Sequence, residues 1–419
     1  MVQAGIEALN VFGGSAFLDV QELAEYRGLD SARFANLLMK QKSVALPYED
    51  PVTFGVNAAK PLLDALSLAE KQSIEMVIAC SESGIDFGKS ISTYLHEYLG
   101  LQRNCRLFEL KQACYAATAG LQMALNLVVA QSSPGARVLV VATDVSRSFT
   151  NGGQKTPPAD GAFAEPSSAS GAVAFLVSEH PTILRVDFGA NGYYGYEVMD
   201  TCRPVADGDA GDADLSLLSY LDCCKQAFEE YRKRVKDVDY QRTFDYLAFH
   251  TPFGGMVKGA HRNMMREFAG AAGSAIEEDF ARRVMPGLYY CQRVGNIMGG
   301  TVLLSLSSTL DNGDFTGARR VGCFSYGSGC CSEFYSGVAG PDAQARLSKM
   351  NIRSHLDNRY RLTMGEYEKL LCKSNHCLFG TSEAKPNRSL LPEVWEKLQG
   401  CGRLYLKEIR NFHRLYEWG

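Results

Sequence analysis

No stretch of the 419-residue sequence approaches the unbroken apolar run of a transmembrane helix. The first residues, Met1 to Ala8, lack the basic segment followed by an apolar one that marks a secretory leader. An excess of one charge is also missing. The chain has 43 Lys and Arg against 47 Asp and Glu, a formal net charge of -4, which gives neither nucleic acid nor an anionic membrane a footing as partner. The Cys-x-x-Cys spacing of zinc and redox centres does not occur at the adjacent pairs Cys223-Cys224 and Cys330-Cys331, so no metal site is expected. Thirteen cysteines, an odd number scattered along a long chain, read as reduced thiols in a cytoplasm.

What is present is the composition of an ordinary globular chain, 46% hydrophobic and 21% charged. Its length suggests two domains or two fused halves. Short β-branched or apolar runs alternate with longer amphipathic ones, the pattern of an α/β protein. Strands are expected at Met76–Cys80, Arg106–Leu110, Arg137–Ala142 and Gly171–Val177, and again at Ile183–Asp187, Tyr246–His250 and Arg320–Ser325. Helices are expected at Pro51–Gln72, kinked or broken at Pro61, and at Ala116–Gln131, Leu215–Val238 and Thr301–Leu310. Two successive sets of strand–helix units predict an internally duplicated fold, 1–180 and 181–419. Gly-, Ser- and Pro-rich loops fall at Thr150–Ser170 and Ala206–Asp214, and the first is long enough to be a lid or binding surface. The amphipathic run Leu404–Trp418 is expected to pack back onto the body.

Three polar residues follow predicted strands, where α/β folds place their sites. Cys114, in Leu110-Lys-Gln-Ala-Cys-Tyr-Ala-Ala, stands where the strand from Arg106 gives way to a small-residue helix. A thiol at a helix start meets unpaired N–H groups and the positive end of the dipole, which favour the nucleophilic thiolate. Glu82 lies just past the strand at Met76, and His250 ends the strand from Tyr246. Taken singly, each has an ordinary reading: a packed core cysteine, a solvated turn glutamate, a hydrogen-bonded strand-end histidine. Together they supply a nucleophile, a carboxylate and an imidazole.

The segments around these residues resemble the 3-hydroxy-3-methylglutaryl (HMG) synthases of the thiolase superfamily. The likeness rests on Ala113-Cys-Tyr-Ala-Ala-Thr-Ala119, His250-Thr-Pro-Phe253, Gly295-Asn-Ile-Met-Gly-Gly300, Phe324-Ser-Tyr-Gly-Ser-Gly329 and the segment Tyr194–Pro204, and it spans nearly the whole chain. It implies a thiolase-like fold, a duplicated α/β architecture in five layers, αβαβα. It makes Cys114 the acyl nucleophile, Glu82 the acid/base carboxylate and His250 the active-site histidine. Asn296, Tyr326, Gly327 and Ser328 fall on substrate-binding loops, and the backbone N–H groups at Cys114 and near Ser328 on the oxyanion site.

The implied chemistry loads acetyl on Cys114, forms its enolate with Glu82, adds the enolate to the ketone of an acetoacetyl thioester and hydrolyses the product. Ser148, where primary-metabolism members carry tyrosine, and the extended Thr150–Ser170 loop resemble the HMG synthase-like enzymes of polyketide β-branching. In those enzymes donor and acceptor ride on the phosphopantetheine of acyl carrier proteins, and the enzyme holds no cofactor of its own. The reading that stays open beside it is an HMG-CoA synthase of the mevalonate route, using free coenzyme A thioesters. The resemblance also implies a homodimer. An acidic carrier protein needs a local basic patch. Lys258, Arg262 and Arg266 recur at four-residue spacing and share one face if helical, although an ordinary solvated basic face reads the same way.

Overall fold

Long apolar runs become the middle of one mixed sheet. In the computed structural model, which describes residues 3–146, 164–205, 208–373 and 379–419, the elements that build the site occur in this order: β1 (Gly5–Phe12), α1 (Pro51–Asp64), β2 (Ile74–Cys80), β3 (Arg106–Leu110), α2 (Ala116–Ala130), β4 (Arg137–Asp144), β5 (Gly171–Ser178), β6 (Leu184–Gly195), α3 (Ala213–Arg234), β7 (Tyr246–Phe249), α4 (Gly254–Ala269), α5 (Met285–Val294), α6 (Thr301–Asn312), β8 (Arg319–Gly327) and β9 (Cys331–Ala339). The sheet order is β7-β8-β9-β6-β1-β5-β4-β2-β3.

The duplication is visible in the pairing. From β1 the sheet runs antiparallel to β5 and to β4, then parallel to β2 and β3. From β6 it runs antiparallel to β9 and to β8, then parallel to β7. Among the described residues, the two half-sheets pair where β1 touches β6, at Gly5–Arg185 and Ile6–Leu184, and residue 180 lies in the connection just before that seam. Gly5 permits the contact, because a Cβ there would sit 2.1 Å from the Leu184 carbonyl oxygen.

Helices α2 and α6 share one buried core between the half-sheets. The outer face of the first half packs on α1, and that of the second on α3 and α4. These are the five layers of the thiolase-like α/β fold. Small residues let α2 lie close to the sheet. At Gly120 a Cβ would fall 2.7 Å from Cys80 Sγ and 2.9 Å from Val140 Cγ1. Contrary to expectation, one stretch does have the length and composition to cross a membrane: Ala113–Ala130, 18 residues at a hydropathy of 1.4, with 44% of it buried in this core.

Three local expectations change. Helix α1 begins at a capping box, Asp50 with Thr53, and continues through Pro61 to Asp64. The break comes later, where Ser67 and Glu70 form a second capping box that starts Leu68–Gln72. The amphipathic run Leu404–Trp418 packs back as expected, but as a hairpin, Leu404–Arg410 with His413–Trp418, turning at Asn411 and Phe412, both with positive φ. It is pinned by the Asn57 side chain, which donates to the Leu404 carbonyl (3.1 Å) and accepts from its N–H (2.8 Å). Strands β1 and β9 were not expected, and both are almost wholly buried. Ser148 and most of the Thr150–Ser170 loop lie outside the described residues.

Candidate active site

The parallel strands of both halves end at one cavity of about 1140 Å3, lined by Glu82, Cys114, His250, Asn296, Tyr326 and Ser328, among others. Cys114 sits in a turn between β3 and α2, two residues before the helix starts. Ala113 takes φ 42°, a left-handed conformation that a non-glycine residue keeps only where its surroundings hold it. The Tyr115 N–H donates to the Gln112 carbonyl (3.0 Å), and the Ala116 N–H to that of Ala113 (3.2 Å).

Gly327 does not line the cavity, contrary to its expected role on substrate. It lies beneath this turn, where a Cβ would fall 2.5 Å from the Gln112 carbonyl oxygen and 2.6 Å from the Tyr115 nitrogen. Its absent side chain lets the turn rest on the end of β8.

Cys114 Sγ stands 4.0 Å from Glu82 Oε2. The loop bearing Glu82 is fixed by Asp144 at the end of β4, whose Oδ1 accepts from Ser81 Oγ (3.0 Å) and from the N–H groups of Glu82 (2.9 Å) and Ser83 (3.0 Å). Arg203 is the compensating cation. Its Nη2 lies 3.5 Å from Glu82 Oε1, while Nη1 donates to Ser83 Oγ (3.1 Å) and Nε to Asp209 (2.7 Å). Burial, then the negative charge of Asp144, pushes the Glu82 carboxyl up to about 8 against the pull of Arg203. Burial raises Asp144 to about 6. The Cys114 thiol is driven well above its ordinary range by burial first, then by Glu82 and Asp144. The expected resting thiolate is therefore replaced by a neutral thiol: two neighbouring carboxyls and a dry wall outweigh the field of a helix end two residues away.

His250 is buried at the end of β7. Its N–H donates to the Phe324 carbonyl (2.7 Å), and its own carbonyl accepts from Tyr220 OH (2.6 Å). Ring Nδ1 has no partner among the described residues. Burial lowers the imidazole to about 3, so the ring is neutral, with one donor and one acceptor nitrogen.

Asn296 is clamped by its backbone, which donates to the Ser167 carbonyl (2.7 Å) and accepts from the Ala169 N–H (3.0 Å). Its Oδ1 takes the Met298 N–H and Thr301 Oγ1, each at 3.0 Å, which orients the amide and directs Nδ2, a donor, away from those bonds. Asp200 holds the opposite wall, accepting from Tyr326 OH (2.5 Å) and the Gly329 N–H (2.8 Å).

The basic stripe on α4 stands apart from the cavity lining, although the N-terminal end of that helix contributes Met256. Lys258 and Arg262 both turn to Glu277, at 2.8 Å and 3.6 Å, and Arg266 is exposed. Asp144, the anchor of the Glu82 loop, lies two residues past the expected strand Arg137–Ala142, and Arg203, the counter-charge of Glu82, falls inside the segment Tyr194–Pro204; neither was expected to serve the site. Arg33, which lines the cavity, was not expected there either.

Residues 2–180 match the family described as hydroxymethylglutaryl-coenzyme A synthase N terminal, and residues 265–418 its C-terminal counterpart. The chain belongs to the hydroxymethylglutaryl-CoA synthase family. Glu82 and Cys114 fall in the first matched stretch, Asn296, Tyr326 and Ser328 in the second, and His250 between them. Within this family the chain is 63% identical to the polyketide biosynthesis 3-hydroxy-3-methylglutaryl-ACP synthase PksG of Bacillus subtilis (strain 168), over 100% of both chains. It is 34% identical to the hydroxymethylglutaryl-CoA synthase of Enterococcus faecalis, over 88% of this chain and 92% of that one. Among solved structures, the curacin biosynthetic pathway HMG synthase in complex with acetyl donor-ACP superposes with a TM-score of 0.96 at 62% identity, each chain fully covered. MvaS in complex with 3-hydroxy-3-methylglutaryl coenzyme A gives 0.84 at 29%, over 100% of this chain and 99% of that one.

Proposed function

We propose that this HMG synthase forms HMG on an acyl carrier protein in polyketide β-branching, with Cys114, Glu82 and His250 as its working groups. The observation that carries the chemistry is a thiol 4.0 Å from a carboxyl at the floor of a cavity walled by a neutral imidazole. Cys114 sulfur attacks the donor acetyl thioester. A new C–S bond forms, the donor's C–S bond breaks, and the thiol proton passes to the departing pantetheine sulfur. Glu82 then removes a proton from the acetyl methyl. A carboxyl poised near 8 is matched to that task, because a general base works best with its pKa near the working pH.

The enolate carbon adds to the β-ketone of the acceptor thioester. His250 donates a hydrogen bond to the ketone oxygen as it becomes an alkoxide, and that oxygen takes up the proton that Glu82 removed from the methyl, which returns Glu82 to its ionised form. Asn296 Nδ2 orients the acceptor, and Tyr326 and Ser328 line its path. Water cleaves the Cys114 thioester, returning the thiol and releasing HMG on its carrier.

Carrier-borne rather than free coenzyme A thioesters are favoured by the 63% identity to the PksG HMG-ACP synthase, against 34% for the coenzyme A enzyme of Enterococcus faecalis. The enzyme supplies no cofactor, since the phosphopantetheine arms bring both substrates. Of the three basic residues on α4, Arg266 is the one left to meet an acidic carrier. Free thiols at every described cysteine suit a cytoplasmic setting. The edge strand β3 carries half-buried Leu107, Phe108 and Leu110, an open edge suited to pairing with a second copy in a homodimer.

The test is intact-mass monitoring of Cys114 acetylation with acetyl-CoA and acetyl-carrier protein offered side by side. Preference for the carrier supports the reading, and equal or faster loading from acetyl-CoA favours the mevalonate-route alternative.

A further inference from the structure

Beneath the nucleophile turn lies a buried carboxylate that the reaction does not use. Glu333, on β9, is 2% exposed, and three donors fill its two oxygens. Oε2 accepts from Tyr115 OH at 2.7 Å, and Oε1 from Gln122 Nε2 at 2.8 Å and Asn191 Nδ2 at 3.0 Å. Asn191 Oδ1 in turn accepts from Arg234 at 3.0 Å. Tyr115 follows Cys114 directly and is the N-cap of α2, a cap with no side-chain hydrogen bond to the helix. Gln122 lies seven residues on, two turns along the same stripe of that helix. One carboxylate in the second half therefore grips the first two turns of the helix that leads away from the nucleophile.

We propose that Glu333 is a positioning residue for the reaction: through the Tyr115 hydroxyl it holds the strained Cys114 turn at the reach of Glu82. The turn needs such a tether. Ala113 sits at φ 42°, and Gly327 beneath offers no side chain to brace it. Among the described residues, Gln112 Nε2 also ties the turn to the Ser328 carbonyl, by a longer bond at 3.3 Å. A phenolic hydroxyl is well suited to this work. Its ring is stiff, and its bond to a carboxylate is short and charge-assisted. Glu333 touches no cavity-lining atom through these bonds, so its effect on the reaction passes through where Cys114 stands.

The inference rests on Cys114 being the acyl nucleophile, and the experiment keeps the two apart. Tyr115→Phe, Glu333→Gln, the double variant and Cys114→Ser are each mixed with acetyl-carrier protein, and adducts are followed by rapid-quench intact mass over a range of donor concentrations. Tyr115→Phe removes one oxygen and keeps the ring, so the fold survives, and thermal melting verifies that. The expected result is a fall of roughly ten- to hundred-fold in the plateau acetylation rate, with the half-saturating donor concentration within about two-fold of wild type. The double variant should be no more than about two-fold slower than the slower single, because both changes break the same bond.

Wild-type plateau rates in Tyr115→Phe, losses that multiply in the double variant, or a loss confined to half-saturation would each overturn the positioning role. Labelling that persists in Cys114→Ser would instead overturn the assignment of the nucleophile.

Discussion

Replacing Glu82 by Gln separates the loading of Cys114 from the condensation. The carboxyl stands 4.0 Å from Cys114 Sγ, and two unit charges at that spacing repel by about 4 kcal/mol at an effective dielectric of ~20. A tenfold change in an ionisation constant takes only about 1.4 kcal/mol. Loss of the repulsion therefore outweighs a tenfold change even after water in the cavity screens part of it. Arg203, released from its 3.5 Å partner, pulls in the same direction.

Alkylation of Cys114 by iodoacetamide should begin at lower pH in the variant. At about pH 9 the wild-type carboxyl, at about 8, is ionised, and there the variant should react at least roughly ten-fold faster. Acetylation persists, while condensation falls by about 100- to 10,000-fold for want of a base. In the wild type, condensation should rise with pH and level off above about 8. Stability moves the other way. Folded Glu82 holds its proton up to about 8 and an unfolded glutamate only to about 4.5, so between these values the folded state binds more protons and is lost progressively as pH rises. The variant should gain in melting temperature over wild type more at about pH 8.5 than at about pH 5. A variant that cannot be acetylated, yet condenses once loaded chemically, reverses the assignment. An alkylation profile identical to wild type refutes the electrostatic argument.

His250→Ala should still acetylate but lose roughly 100- to 1,000-fold in condensation. The wild-type His250 ring resonances should stay flat between about pH 5 and 8, because burial holds its titration near 3; a normal histidine titration contradicts the neutral donor. Gly327→Ala places a methyl 2.5 Å from the Gln112 carbonyl oxygen, so it should cost about 1–3 kcal/mol of stability and most of the acetylation rate; calorimetry and intact mass read the two. Arg266→Glu should weaken loading from acetyl-carrier protein, most at low salt, and leave a small acetyl thioester unaffected; equal loss with both donors places Arg266 in the fold instead. Sedimentation at micromolar protein should give a dimer, and a persistent monomer refutes pairing through β3.

That Cys114, Glu82 and His250 would line one cavity was legible because α/β chains open their clefts at strand ends, and strands such as Met76–Cys80 announce themselves by composition. The state of the thiol was not legible. A helix end is written locally, but the opposing carboxyls of Glu82, on the loop after β2, and Asp144, at the end of β4, lie 32 residues before and 30 after Cys114. Gly327 sits in a Gly-rich motif that reads as a substrate loop, and only the turn packed on it reveals why no side chain fits. Lys258 and Arg262 share a helical face with Arg266, but Glu277 arrives from a different helix and claims them. The Leu404–Trp418 run carries both helical and alternating apolar spacing, and the Asn57 amide, held by α1, pairs with its backbone as a neighbouring strand would.

The seam at Gly5 and Leu184 and the core shared by α2 and α6 weld two halves that each bring only part of the site. One half carries Cys114 and Glu82 and the other His250 and Ser328, so neither half alone can assemble these groups around one cavity. A methyl at Gly5, where the Leu184 carbonyl oxygen stands 2.1 Å from the added carbon, would force the strands apart at the weld. A residue remote from the cavity thus guards the union on which the site depends.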